Sequence, residues 1–193
     1  GIVPMNKHEY FHFDIKDSNI LIDEHHISRL IDWGLSGQST AKHIIPTVLD
    51  GRVIQYNVPF ASIILSKEFS LWYSLQLAKI PYENLKKNSP ILVEKIRQIV
   101  VNFYYYWKEH AGSGHHDYIH SLYFYTYYNA LNNSIVDKQQ ILNCEYAMNS
   151  IITQLTNVLI HYTNFGKKTF LRNKYFDEVF KHNCDIMGLL TVY

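Results

Sequence analysis

From residue 59 onward, apolar positions recur at steps of three and four, the spacing that lays one hydrophobic stripe along a helix. The stretch "FASIILSKEFSLWYSLQLAKI" predicts a first helix from residue 59 that ends at Pro81, which cannot continue the hydrogen-bond ladder. In "NSP" at 88 to 90, Ser89 is placed to cap a second helix and Pro90 to occupy its first turn. That helix runs through "ILVEKIRQIVVNFYYYWKEH" until "AGSG" stops it, and a third is expected over about 117 to 132. A fourth, about 137 to 163, carries Ile141, Cys144, Met148, Ile151, Leu155, Val158 and Tyr162 on one face. Burying that face contributes on the order of 10 kcal/mol before entropy costs.

The amino end has a different texture. Residues 8 to 34 hold two short apolar runs, "NILI" and "ISRLID", separated by the polar "DEHH", a pattern that predicts two small strands and a tight turn. Residues 35 to 58 mix Gly, Ser, Thr and Pro without sustained periodicity and read as a long ordered loop, a kind of segment that is usually functional or disordered.

Composition narrows the partners. With 193 residues, one domain is the default, and 18 basic against 17 acidic residues leave no broad footprint for nucleic acid. Cys144 and Cys184 match no zinc spacing and are too few for a disulfide framework, so an intracellular, cytoplasmic compartment is expected. No apolar run reaches the length of a membrane span.

The stretch "FHFDIKDSNILID", followed by "DWG", carries the candidate chemistry. Phosphoryl transfer needs a carboxylate near the attacking hydroxyl, oxygen ligands for a metal that neutralises phosphate charge, and a cation on the transferring group. Asp14 offers the carboxylate, Asn19 and Asp32 the metal ligands, and Lys16 the cation. The bland alternative is a set of turn and capping residues around a hairpin.

With its following "LIDWGLS", this stretch resembles the catalytic loop and metal-binding loop of eukaryotic-type protein kinases, whose patterns read H-R-D-L-x-x-x-x-N and D-F-G. The resemblance implies a mainly α fold, a kinase-like C-lobe segment with a small β-hairpin and a large helical insertion. It makes Asp14 the catalytic base, Lys16 a catalytic and γ-phosphate contact, and Asn19 and Asp32 ligands of Mg²⁺ bound with ATP. His12 and Gly34 become structural supports. Lys16 favours a serine/threonine protein substrate. "CDIMGLL" at 184 to 190 resembles the "D-I-W-S-L-G" opening of the helix that anchors the catalytic loop, which implies that Asp185 accepts backbone amides around His12.

On this reading residues 1–63 form the catalytic loop, metal-binding loop and activation segment, 64–182 the helical insertion and 183–193 the start of the anchoring helix. No Gly-rich strand pair precedes His12, so the N-lobe is expected from the rest of a longer product, and the segment alone is expected to be inactive. A helical insertion in such a context is similar to kinase-like proteins of large DNA viruses, which would add association with a virion, and the insertion is a candidate surface for a protein partner. Phe13 stands where the family has Arg, so regulation by a phosphate on the activation loop is not expected. In "YNVPF", similar to the A-P-E that closes the activation segment, Phe60 replaces the Glu and implies another anchor. Two alternatives stay open: a pseudokinase or interaction module without catalysis, and a small-molecule phosphotransferase of the aminoglycoside or choline kinase type.

Other motifs read more plainly. His115, His116 and His120 lack the Glu of a zinc helix and suit a solvated helix start. "NFYYYW" suits helix packing, and Lys86 with Lys87 and Lys167 with Lys168 suit solvated pairs. "GKKT" at 166 to 169 lacks the upstream Gly of a P-loop.

Overall fold

The computed structural model describes residues 2–87, 89–122 and 145–192. Helix predominates among them, and sheet is confined to three antiparallel two-strand pairs. The chain opens with α1 (Ile2–Lys7) and β1 (Tyr10–Phe11). The expected hairpin forms from β2 (Ile20–Ile22) and β3 (Ser28–Leu30), with Ile20 opposite Leu30. Its turn is organised by Asp23, whose Oδ1 accepts the amides of His25 and Ile27 at 2.9 Å each while Oδ2 takes Arg29 Nε at 2.7 Å.

Within the irregular stretch after the hairpin, β4 (Gly37–Gln38) pairs with β1, setting Phe11 opposite Gly37. Two residues are too few to leave an alternating signal, so this pair was not anticipated. Gly37 is required there by close approach, since a Cβ would stand 2.8 Å from the Cβ of Pro46 and 3.0 Å from Val48 Cγ2.

The helix expected from residue 59 is in fact two elements. Phe60–Leu65 forms a 3₁₀ turn with Ala61 to Leu65 buried, and α2 (Lys67–Ala78) follows it. The break is at Ser66, whose hydroxyl donates to the Ile63 carbonyl at 3.2 Å and accepts the Phe69 amide at 3.0 Å. A serine that bonds its own backbone competes with helix continuation, and here it wins. α3 (Pro90–His110) has the expected boundaries: Ser89 accepts the Leu92 amide, Pro90 sits in the first turn, and Gly112 beyond the end adopts φ +100°. The expected third helix is described only over 116–122, and 123–132 lie outside the described residues.

The fourth helix is α4 (Glu145–Tyr162), and the expected face positions Ile141 and Cys144 lie outside the described residues. Ile151 and Leu155 are buried, joined by Ala147, Ile152 and Leu159, whereas Val158 and Tyr162 are only half-buried. The buried stripe is therefore rotated toward 152 and 159 at the carboxyl end, and α4 meets α3 through polar contacts in its first half, where Arg97 donates to Asn149 at 2.7 Å and to Thr153 at 3.3 Å. A further hairpin, β5 (Thr163–Asn164) with β6 (Thr169–Phe170), was also unanticipated. It contains "GKKT", and Lys168 is not a free solvated side chain: its Nζ donates to the carbonyls of Ala78 at 3.2 Å and Ile80 at 2.8 Å, closing the end of α2. The chain then runs through α5 (Arg172–Tyr175), a wider π turn at Phe176–Phe180 and α6 (Lys181–Leu190).

One hydrophobic core draws on residues from both the loop-rich amino end and the helices. Its centre is aromatic: Phe69 and Phe103 meet edge to face at 4.7 Å, and Phe11 meets Phe176 the same way at 6.1 Å. Phe103, Tyr104 and Trp107 of "NFYYYW" are buried in it, and Phe13, where the kinase pattern has Arg, is fully buried. No helix among the described residues is long and apolar enough to cross a membrane.

Candidate functional site

The loop between β1 and β2 is shaped by polar side chains. Asp185, buried on α6, accepts the amide of His12 at 3.0 Å on Oδ2 and that of Phe13 at 2.8 Å on Oδ1. With its amide turned so that nitrogen meets both acceptors, Asn6 of α1 adds a third donor to Asp185 at 3.0 Å and reaches the Tyr10 carbonyl at 2.8 Å. Burial raises the Asp185 pKa, and the two backbone hydrogen bonds only partly offset that rise. α6 also comes close to the loop at Gly188, where a Cβ would lie 2.7 Å from the Ile15 carbonyl oxygen.

His12 is fully buried and joins two loops. Its Nε2 donates to the Ile31 carbonyl at 3.0 Å, its Nδ1 accepts the Asp14 amide at 3.3 Å, and its ring meets Trp33 edge to face at 4.7 Å. These partners place the ring proton on Nε2. Ile31 in turn donates its amide to the Asn19 carbonyl at 3.0 Å. The residue before Asp32 is thus bonded to both His12 and Asn19, which brings the metal-loop candidate beside the Asp14 loop.

Around Asp14 three donors converge. Lys16 Nζ lies 3.0 Å from Oδ2, Asn19 Nδ2 lies 3.0 Å from the same oxygen and 2.8 Å from the Asp14 carbonyl, and Asn57 Nδ2 lies 2.9 Å from Oδ1. Burial pushes the Asp14 carboxyl up, but the hydrogen bonds from Asn57 and Lys16 and the charges of Lys16 and Arg52 outweigh it, so its pKa is lowered. Asp14 is therefore a carboxylate throughout the neutral range, able to accept a proton or orient a hydroxyl.

Asn19 and Asp32 have the donor chemistry a hard divalent cation requires. The Asn19 amide nitrogen is occupied by Asp14, leaving Oδ1 as the oxygen available to a ligand. Asp32 is exposed, in a left-handed conformation with φ 58°, and makes no side-chain cap bond to the turn it opens. At Gly34 a Cβ would stand 3.4 Å from Asp32 Oδ1, ordinary contact, so no steric demand for glycine arises there. Among the described residues no group of three or more His, Cys, Asp or Glu converges as a metal site. The rings of His116 and His120 instead pack against each other, tilted by 33° with centroids 4.2 Å apart, and His116 is half-buried rather than solvated.

Two residues of this neighbourhood were not anticipated, Asn57 and Arg52. Asn57 also donates to the Ile15 carbonyl at 3.1 Å, so one amide ties the segment before Pro59 to both the carboxylate and the backbone beside it. Arg52 is buried, with its guanidinium donating to the Phe13 carbonyl through Nη2 and to Gln55 Oε1 at 2.6 Å through Nε. Burial lowers its pKa to about 10, opposed by Asp14, Cys184 and Asp185, so it stays charged at neutral pH. The only sequence signal for Asn57 is a polar residue between Tyr56 and Val58, two positions before Pro59.

No family model, no curated protein and no solved structure matches the chain.

Proposed function

We propose that the chain carries the catalytic and metal-binding loops of a serine/threonine protein kinase-like phosphotransferase that uses ATP and Mg²⁺. The observation that carries this reading is the set of donors on Asp14: Lys16 and Asn19 bond its carboxylate at offsets of two and five, on a loop fastened to the residue before Asp32. In this role Asp14 orients the acceptor hydroxyl and takes its proton as the oxygen attacks the γ-phosphorus and ADP leaves. Lys16 contacts the transferring group, and Asn19 and Asp32 hold the cation that, when bound, neutralises phosphate charge.

The test is phosphate transfer to protein serine or threonine by the whole gene product, together with Mg²⁺-dependent nucleotide binding. Asp14→Ala is expected to lower turnover by about 10² to 10⁴-fold with nucleotide binding retained, the range of a lost general base. Asp32→Asn is expected to abolish the Mg²⁺ dependence of binding. A rate unchanged by Asp14→Ala would overturn the assignment.

A second reading, an interaction module without catalysis, is favoured by one observation: Leu71 and Leu75 on α2 are 71% and 65% exposed, on a helix that buries Phe69, Tyr73 and Leu77 in the core. Absence of any Mg²⁺-dependent nucleotide binding by the whole product would favour it.

A further inference from the structure

Phe13 has a left-handed backbone, with φ 58°, although it is a bulky residue. Such a conformation costs of order 1 to 3 kcal/mol and persists only where its surroundings impose it. Here both ends of the residue are gripped. Its amide donates to Asp185 Oδ1, and its carbonyl accepts from the Arg52 guanidinium, whose centre lies 5.9 Å from the Phe13 ring centroid. Asp14 is the next residue along, so the direction of its side chain depends on that grip.

Arg52 is itself gripped by the helical part of the chain. Its carbonyl accepts the indole N–H of Trp107, buried on α3, at 2.8 Å. Two residues on, the Ile54 carbonyl accepts the His115 amide at 2.9 Å. Gly114, at φ +54°, leaves no room for a side chain there, because a Cβ would be 2.3 Å from the Ile54 carbonyl oxygen and 2.9 Å from the Val53 side chain. Tyr56 then packs against His115 at 5.1 Å and Tyr118 at 4.9 Å.

We propose that Arg52 is a positioning residue that holds Phe13 in its left-handed state and so aims Asp14, and that residues 107–118 of the helical insertion brace Arg52 in place. The brace is built into the fold and needs no phosphate on the activation segment. That this aims a catalytic group rests on the function proposed above; the grip on Phe13 does not.

Hydrogen exchange on the protein, resolved by residue, tests the brace without any need for activity. Arg52→Gln, which keeps a donor but removes the charge and shortens the reach, is expected to speed exchange of the Phe13 and His12 amides by about tenfold or more, with Leu155 and Leu159 of α4 unchanged. Arg52→Lys is expected to restore part of that protection. Trp107→Phe keeps an aromatic ring on Phe103 but removes the indole N–H and part of the buried volume, so the Phe13 and His115 amides are expected to exchange several-fold faster, and this variant carries the test if Arg52→Gln does not fold. Unchanged Phe13 exchange in either folded variant, or uniform acceleration that includes α4, overturns the brace. If the whole product transfers phosphate, Arg52→Gln is expected to lower kcat by about tenfold with the KM for ATP unchanged, whereas a rise in KM with kcat unchanged would overturn the positioning role. Intact protection effects with no nucleotide binding would instead sink the proposed function and leave the brace standing.

Discussion

Residues 10–58 and the described helices between residues 67 and 190 share one core, yet their backbones are held by different forces. In the helices, backbone groups satisfy one another and apolar faces do the joining: α3 packs on α4, with Ile96 and Val100 of the one and Ile152 and Leu155 of the other buried in the shared core. In the loop-rich part few backbone groups are paired within strands, and side chains take over: Asp185 holds two amides, Asn57 a carboxylate and a carbonyl, His12 a carbonyl and an amide. The first arrangement tolerates exchange of one apolar residue for another, and the second does not, because each buried polar partner has a fixed direction. A site that must present a carboxylate and metal ligands at set angles gains from the second kind of scaffold.

The largest effect expected from breaking this comparison lies on the helical side. Phe103 is 1% exposed and its ring touches those of Phe69, Trp72 and Trp107. Phe103→Ala should cost about 3 to 5 kcal/mol, read as a fall in the urea midpoint. Because the loops rest on the same core, their amides should lose protection together with those of α3. Persistence of α3 protection with a loss of less than about 1 kcal/mol would mean that the aromatic cluster is not the common foundation.

Next comes the polar side. Asp185→Asn preserves shape but puts a donor against the amides of Phe13 or His12, at a cost of about 2 to 3 kcal/mol. Here exchange should quicken in residues 11–16 before it does in α4. A uniform response would erase the distinction between the two kinds of scaffold.

How far each part was readable follows from the same physics. α3 could be bounded from "NSP" to "AGSG" because cap, first-turn proline, period and glycine stop all agree. The polar offsets from His12 to Asn19 are local, and "CDIMGLL" pointed to the amides around His12, where Asp185 indeed accepts two. Asn57 reaches Asp14 from 43 positions away and Arg52 reaches Phe13 from 39, and no spacing rule encodes such contacts. Phe13, read only as the loss of a cationic pocket, is a core residue, and the cation beside it comes from Arg52 instead. The rotation of the buried stripe on α4 was equally hidden, since Ile152 and Leu159 are as apolar as the expected Val158 and only the placement of the elements packed on α4, among them α3, the Phe60–Leu65 turn and α5, decides among them.

The smallest effect separates two serines with the same job. Ser89 caps α3 and is half-exposed, whereas Ser66 caps α2 and is 1% exposed, with its hydroxyl also donating to the Ile63 carbonyl. Removing Ser89 leaves an amide that water reaches, so Ser89→Ala should cost about 0.5 to 1 kcal/mol. Removing Ser66 leaves a buried amide and a buried carbonyl with nothing in exchange, so Ser66→Ala should cost about 1 to 2 kcal/mol. Urea midpoints at unchanged slope measure both. Equal losses would mean that the break between the 3₁₀ turn and α2 is set by packing of Ala61 to Leu65 rather than by the serine; the larger loss at Ser66 would mean that even in the helical half one buried hydroxyl decides where a helix begins.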